Sequence, residues 1–131
     1  MSIDIHKSGI IGTVSKDKTV RFWYNNKCFG IGYEHNEVLN AISTNHSNIN
    51  SCIWLTGGKD RGLKLWDLTD YIIDGKVKTH NISKCMEMNS KVTMNENDSE
   101  IMDIDVSPNE MYCVTCNYSG FLILYSIEMS N

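Results

Sequence analysis

The chain has 131 residues, of which 41% are hydrophobic and 21% are charged, so it is neither a disordered tail nor a fibrous protein. Its formal net charge is −4, so the strongly basic footprint of a protein that binds nucleic acid directly is missing. The longest fully apolar run, residues 121–125, is far shorter than the roughly twenty residues of a membrane helix. We therefore expect one globular domain that does not span a membrane.

Three segments repeat one pattern, at residues 12–23, 55–66 and 114–125. Each combines a short apolar strand, a polar turn and a second strand that ends in an aromatic residue. The aromatic residues Trp23 and Trp66 lie 43 positions apart, which matches the roughly 40–45-residue period of propeller blades. Tyr125 follows 59 positions after Trp66, which is one such period plus an insertion.

Further strands are predicted around these segments. Residues 3–6 (Ile-Asp-Ile-His) and 104–107 (Ile-Asp-Val-Ser) alternate between apolar and polar positions, as a half-buried strand does. Residues 39–44 occupy the same place in the second unit, and residues 28–33 and part of 88–95 are candidates for fourth strands. No segment shows a helical period of useful length, so the chain is predicted to be all-β.

The middle unit, Thr-Gly-Gly-Lys-Asp-Arg-Gly-Leu-Lys-Leu-Trp66-Asp67, resembles a WD-repeat, a family named after its final Trp-Asp pair. His35 lies 31 residues before Trp66, where the family has a Gly-His pair, although Glu34 replaces the glycine. The first unit also resembles the family pattern, with Trp23 followed by tyrosine. The third unit departs furthest and has these residues at the histidine, aspartate and tryptophan positions: Asn97, Ser119 and Tyr125.

The resemblance implies a partial WD40 β-propeller of about three four-stranded blades, with blade 1 at about 1–34 and blade 2 at about 35–68. An insert at 69–96 would follow as a protruding, partly mobile loop, and blade 3 at about 97–131 would lack its outer strand. Propellers use about four to eight blades, so this array would not close alone. We expect either a fragment of a longer propeller or two copies that pair, and we favour the fragment because the family normally encodes all its blades in one chain.

The resemblance also implies a structural tetrad of hydrogen-bonded side chains, consisting of His35, Thr56, Asp60 and Trp66. A histidine, a hydroxyl and a carboxylate could suggest a catalytic triad, but the indole N–H would use hydrogen-bonding capacity that a catalytic base needs free. The third unit is expected to have no such network. The family's partner-binding positions on the top face, just before the turn aspartate, correspond to Lys16, Lys59 and Tyr118.

Trp54 and the cysteines offer further candidates. Trp54 is a candidate interface anchor, but packing between blades is the favoured interpretation. Cys113 and Cys116 are three positions apart on a predicted strand and so point to opposite faces, which favours packing over a shared metal or redox site. The five cysteines are an odd number and no signal-peptide core precedes them, which predicts reduced thiols in an intracellular protein.

These features predict a non-catalytic protein-interaction scaffold without cofactor, metal or small-molecule substrate, bound to other protein subunits. The long insert and residues 98–109 resemble the transducin-β-like WD-repeat subunits of the U3 small nucleolar ribonucleoprotein. That branch implies pre-18S rRNA processing in the nucleolus. An adaptor in a ubiquitin-ligase receptor or chromatin assembly is the alternative, and a cysteine-dependent hydrolase using Cys113 or Cys116 is a remote one. Weak or indirect RNA contact is assigned to the insert lysines Lys76, Lys78, Lys84 and Lys91.

Overall fold

The computed structural model describes residues 1–82 and 84–127, with the side chains of residues 80 and 81 outside the description. The described part is built from β-strands and two short 3₁₀ helices at Thr69–Tyr71 and Thr79–Ile82. In chain order the strands are β1 Ser2–Ile5, β2 Ile11–Val14, β3 Val20–Tyr24, β4 Lys27–Gly32, β5 Leu39–Thr44, β6 Ile53–Gly58, β7 Leu63–Asp67, β8 Ile72–Ile73, β9 Lys76–Val77, β10 Met86–Met88, β11 Val92–Met94, β12 Ile101–Val106, β13 Tyr112–Asn117 and β14 Leu122–Ser126.

Three main sheets form an open arc of blades. The first blade has the strand order β1-β2-β3-β4-β10, the second β11-β7-β6-β5 and the third β12-β13-β14, while β8 and β9 form a separate hairpin. The first strand of each blade lies on one side of the arc, where β5 contacts both β1 and β12. The prediction of an all-β, partial propeller is confirmed, since the three sheets are separate blades of three to five strands that lie side by side, and none of them closes on itself.

The first and second blades are joined by a cluster of aromatic rings. The ring centroid of Phe22 lies 5.4 Å from that of Trp54 and 6.3 Å from that of Trp66, both in edge-on geometry. All three side chains are fully or almost fully buried. Trp54 in β6 lies directly opposite Trp66 in β7. Residues that lie opposite each other on paired strands point to the same face of a sheet, and here both face the first blade.

Two glycines of the first blade make room for these indoles. A Cβ added at Gly12 would overlap the ring of Trp54, and one added at Gly32 would overlap the ring of Trp66. The backbone of the first blade therefore approaches the two rings more closely than any residue with a side chain would allow.

The second and third blades share a separate, mostly aliphatic core. Its members come from the facing sides of the two sheets and are Ala41, Ile53, Leu55, Leu63, Leu65, Ile101, Ile104, Val106, Cys113, Tyr125 and Ile127. Residues 1–82 and 84–127 thus form two inter-blade cores in place of a single central one, as expected for a repeat architecture in which each unit packs only on its neighbours.

The insert is packed against the blades, which corrects the expectation of a protruding, partly mobile loop. Strand β10 pairs in parallel with β4 at the outer edge of the first blade, and β11 pairs antiparallel with β7 in the second. Ile72, Val77 and Ile82 are buried in the first inter-blade cluster. The physical reason is that β4 and β7 would otherwise leave their backbone hydrogen-bonding groups unpaired at a sheet edge.

We predict that Gly32→Ala destabilises the protein by about 1–3 kcal/mol, because Trp66 is held in place and cannot move away from the added methyl group. Gly62→Ala is the matched control, since its nearest atoms lie at least 3.5 Å from the added Cβ. Urea unfolding followed by tryptophan fluorescence measures both variants. Equal stability of the two variants would contradict the close packing of the first blade on Trp66.

Candidate functional site

Four side chains of the second blade form one continuous hydrogen-bonded chain. The indole Nε1–H of Trp66 donates to Thr56 Oγ1 over 2.8 Å. Thr56 Oγ1 lies 2.7 Å from His35 Nε2, and His35 Nδ1 lies 2.9 Å from Asp60 Oδ2. A neutral imidazole with its proton on Nδ1 satisfies every step, because Thr56 then donates to Nε2 and Nδ1 donates to the carboxylate. The structure thus brings together all four residues of the predicted tetrad.

The carboxylate of Asp60 is partly buried at the end of this chain. Burial raises its pKa, but the hydrogen bond from His35 and those from the backbone N–H groups of Gly62 and Asn36 outweigh burial. The net result is a lowered pKa, so Asp60 is ionised in the folded protein at neutral pH. The ionised carboxylate of Asp60 therefore stabilises the folded state at pH values above the pKa that Asp60 has in the unfolded chain. This stabilisation is lost as the pH falls through the lower pKa that Asp60 has in the folded protein.

The tetrad connects separate elements of the second blade and leaves His35 no free nitrogen. His35 precedes β5, Thr56 lies in β6, Asp60 lies in the β6–β7 turn and Trp66 lies in β7. The His35 side chain is fully buried, and both ring nitrogens are engaged. A general base needs a nitrogen within reach of a substrate proton, which this arrangement does not provide. The tetrad orients side chains and strands within the blade.

The third blade has a substitute network, which corrects the expectation that it has none. Asn97 Nδ2 donates to the Tyr125 hydroxyl over 2.5 Å and to Thr115 Oγ1 over 3.3 Å. Asn117 Nδ2 donates to Asn97 Oδ1 over 3.2 Å, and these side chains are buried. Asparagine and tyrosine supply donors and acceptors where the second blade has histidine and tryptophan, so the histidine position is filled without a titratable group.

The first blade contains part of the same arrangement. Trp23 Nε1 donates to Thr13 Oγ1 over 3.0 Å, as Trp66 does to Thr56 in the second blade. Hydrogen bonds from the Ser15 and Thr19 side chains lower the pKa of Asp17 to about 2. The turn aspartate is thus stabilised locally by its neighbours.

The predicted top-face residues lie at equivalent positions in the three blades. Lys16, Lys59 and Tyr118 are all exposed, and Tyr118 is 77% accessible. The backbone N–H of Lys59 donates to Val38, and that of Tyr118 donates to Glu100, so both turns are tied to the chain that leads into the inner strand. We refer to these three side chains as the top-face residues.

Trp54 does not belong to an exposed surface, so the favoured interpretation of packing between blades is confirmed and the candidate role as an interface anchor is wrong. Its side chain is 0% exposed and packs on Phe22 and Gly12 of the first blade. Its indole N–H donates to Cys52 Sγ over 3.2 Å. The second blade lies between the first and the third, so both faces of β6 are covered, Trp54 by the first blade and Ile53 and Leu55 by the third. Packing between blades is therefore the role of Trp54.

The cysteines of β13 occupy different environments. Cys113 is buried in the second inter-blade core, and burial raises the pKa of its thiol to about 11. Cys116 is half-buried on the opposite face. A catalytic thiolate requires a thiol whose pKa is lowered, whereas the environment of Cys113 raises the pKa and keeps the thiol protonated. Among the described residues no group of three or more histidine, cysteine or acidic side chains is arranged to hold a metal ion.

The insert lysines differ in exposure, and one of them is paired with a carboxylate. Lys76, Lys84 and Lys91 are exposed, whereas Lys78 is half-buried. Lys91 Nζ lies 3.5 Å from Asp67 Oδ2, so part of its charge is already paired.

Within residues 1–82 and 84–127, no helix is both long and apolar enough to cross a membrane.

Both end faces of the arc are apolar and exposed, as expected of an array of blades that does not close into a ring. On the outer side of the first blade Ile3 and Ile5 are exposed, and Ile3 lines an open cleft of about 410 Å³. On the outer side of the third blade Leu122 and Leu124 are 74% and 70% exposed. The sequence did not identify these side chains: residues 3–6 alternate but residues 122–125 are apolar throughout, and which face lies outside the arc depends on the order of the blades.

Comparisons with known proteins agree with this geometry. Residues 36–67 match the family model described as "WD domain, G-beta repeat", a span that includes Thr56, Asp60 and Trp66 and supports the WD-repeat family. The solved structure titled "Crystal structure of the computationally designed Ika4 protein" is similar, with a TM-score of 0.69 and 16% sequence identity. The match covers 96% of this chain and 64% of that chain, and at this identity it shows the fold alone.

We predict that Asp60→Ala lowers the free energy of unfolding by about 1–3 kcal/mol at neutral pH, because the Nδ1–H of His35 loses its acceptor. The difference from the unsubstituted chain should shrink as the pH falls below about 4 and Asp60 becomes protonated. Asp70→Ala, which removes an exposed carboxylate, is the control and should cost less. Urea unfolding across this pH range measures the effect; a difference that does not change with pH would argue against a carboxylate role.

We also predict that Tyr125→Phe destabilises the third blade by about 1 kcal/mol, since Asn97 loses its closest partner. Tyr112→Phe is the matched control, because Tyr112 is 40% exposed at the surface of the same sheet. Hydrogen exchange of residues 112–126 should become faster in Tyr125→Phe and stay unchanged in the control. Unchanged exchange in both variants would show that the hydrogen-bonded network does not stabilise the third blade.

Proposed function

We propose that this chain is a non-catalytic protein-interaction scaffold that forms part of a larger propeller assembly. One observation carries the proposal: the tetrad is satisfied internally, while both end faces of the arc expose large apolar side chains. Exposed apolar faces of this kind are typical of surfaces that bind other proteins. The WD-repeat match at residues 36–67 supports the proposal, because WD40 repeats are typically non-catalytic scaffold domains.

The contact between the first and second blades shows how a blade docks on its neighbour. Asp4 lies in the innermost strand, where its Oδ1 accepts from the following N–H, that of Ile5. Its Oδ2 accepts from the Thr44 N–H of the next blade over 2.9 Å, and its Oδ1 lies 3.0 Å from His46 Nε2. One carboxylate thus links two inner strands through a backbone N–H and an imidazole.

Asp105 repeats this arrangement at the free end of the arc. It occupies the place of Asp4 in the third blade, and its Oδ1 accepts from the following N–H, that of Val106, over 3.0 Å. Asp105 is exposed, as are Leu122 and Leu124 of the same blade. We infer that this face receives a further blade whose inner strand presents an N–H to Asp105. That blade would come from a longer propeller chain, as we favour, or from a second copy.

The more specific role that we propose is in the U3 ribonucleoprotein of the small-subunit processome, in the nucleolus. Its support is the resemblance of residues 98–109 and the long segment between the second and third blades to the transducin-β-like subunits. The top-face residues Lys16, Lys59 and Tyr118 would contact neighbouring subunits, and the insert lysines would make any RNA contact. An adaptor in a ubiquitin-ligase or chromatin assembly is the alternative.

We predict that the double variant Leu122→Glu/Leu124→Glu reduces recovery of co-purifying proteins by about tenfold or more, because a charged end face cannot be buried against a partner. Ile73→Glu is the matched control, since Ile73 is 58% exposed on the separate β8–β9 hairpin. Affinity purification with mass spectrometry and RNA detection gives the readout, and light scattering reports self-association. Circular dichroism melts check that both variants remain folded.

The identity of the recovered material separates the proposed roles. Recovery of U3 RNA with processome proteins supports the ribosome-assembly role, and recovery of ubiquitin-ligase or chromatin proteins supports the alternative. A compact, cooperatively folding monomer with no partner lost in the double variant would contradict the scaffold proposal itself.

A further inference from the structure

Two cysteines that are far apart in sequence meet at the outer edge of the first blade. Cys28 lies in β4 and Cys85 directly precedes β10. Their Sγ atoms are 3.8 Å apart, with the Cys85 thiol donating to Cys28. Cys85 is exposed and Cys28 is half-buried, so small molecules in solution can reach the pair.

The backbone around this pair is set by strand pairing. Strand β10 runs parallel to β4, with Met86 opposite Gly30 and Met88 opposite Gly32. Gly30 also makes room for Met88, because a Cβ at this position would overlap the Met88 side chain. The pairing of β10 with β4 therefore places Cys85, one residue before the paired segment, beside the strand that contains Cys28.

The other three cysteines do not share this environment. Burial raises the pKa of Cys52 to about 12 and that of Cys113 to about 11, which keeps both thiols protonated and unreactive. Cys116 lies in the third blade, away from Cys28 and Cys85. A mild oxidant should therefore discriminate sharply among the five thiols.

We propose that Cys28 and Cys85 form a reversible disulfide site that locks β10 onto the edge of the first blade. The oxidant class is a small-molecule disulfide such as oxidised glutathione. The Cys85 thiolate attacks one glutathione sulfur, which releases the first glutathione as a thiolate and leaves a mixed disulfide. The Cys28 thiolate then attacks the Cys85 sulfur and releases the second glutathione. Two protein thiols lose two electrons and two protons, and one oxidised glutathione becomes two reduced molecules.

The neighbourhood of the pair sets the conditions of this exchange. Burial, followed by the hydrogen bond and charge of Cys28, raises the pKa of Cys85, whereas the positive charge of Arg21 lowers it. The attacking thiolate is therefore scarce at neutral pH, and exchange is faster in mildly alkaline solution.

The disulfide would control access to a sheet edge. In the reduced protein β10 is a three-residue strand, and its opening exposes the backbone groups of β4 to pairing with another strand. In the oxidised protein the covalent link keeps β10 beside β4, so the edge stays covered. This inference is independent of the proposed scaffold function, because it concerns the outer edge of the first blade and not the end faces of the arc.

The test compares the folded 131-residue chain after incubation with reduced or oxidised glutathione in mildly alkaline buffer. We expect the intact mass to fall by two hydrogens, peptide mapping to find a Cys28–Cys85 link, and hydrogen exchange of residues 86–88 to slow by about tenfold. Cys28→Ser and Cys85→Ser should abolish both effects. Cys116→Ser is the matched control and should keep them.

Three outcomes would overturn the proposal. The first is that all thiols remain free or carry only glutathione after prolonged incubation. The second is a link between other cysteines, which would mean that the folded state does not select this pair. The third is a Cys28–Cys85 link that leaves the hydrogen exchange of residues 86–88 unchanged. This result would show that the disulfide does not control access to the β4 edge.

Discussion

Burial of Trp54 and Trp66 between the first two blades is the interaction on which the rest of the structure depends. Both rings pack edge-on against Phe22, and Gly12 and Gly32 provide the space that they fill. Truncating a buried aromatic side chain of this size costs about 3–5 kcal/mol, a large share of the stability of a small domain. The hydrogen-bonded tetrad fixes the position of Trp66, so its polar network serves the packing of the blades.

The second and third blades show that the buried network can change its chemistry. A buried threonine belongs to each network, Thr56 in the second blade and Thr115 in the third, although Asn97 is the residue that joins the other members in the third. The second blade surrounds it with an imidazole and an indole, whereas the third uses the amide of Asn97 and the hydroxyl of Tyr125. What the position requires is a buried set of matched donors and acceptors, because an unpaired polar group there would cost about 1–3 kcal/mol.

The molecule covers the outer sheet edges of its first two blades and leaves its end faces open. The insert adds β10 to the first blade and β11 to the second, which covers backbone groups that could otherwise pair with another chain. No comparable cover lies over Leu122, Leu124 or Ile3 in the described part of the chain. At these two blades the difference favours docking of blade on blade over pairing of sheet edges, and in the docking that we propose Asp105 would be the polar partner.

The sequence by itself determined the repeat and the all-β class, because strand alternation and the spacing of the aromatic residues are visible in the chain, and its resemblance to the WD-repeat family implied the members of the tetrad. It favoured packing between blades for Trp54 but did not determine which neighbour covers the ring, because the strand pattern does not say which element lies over a face. The network around Asn97, the pairing of β10 with β4 and the meeting of Cys28 with Cys85 also came only from the tertiary structure. These contacts join residues far apart in the chain, and the packing of whole blades, which no short-range pattern records, decides which of them meet.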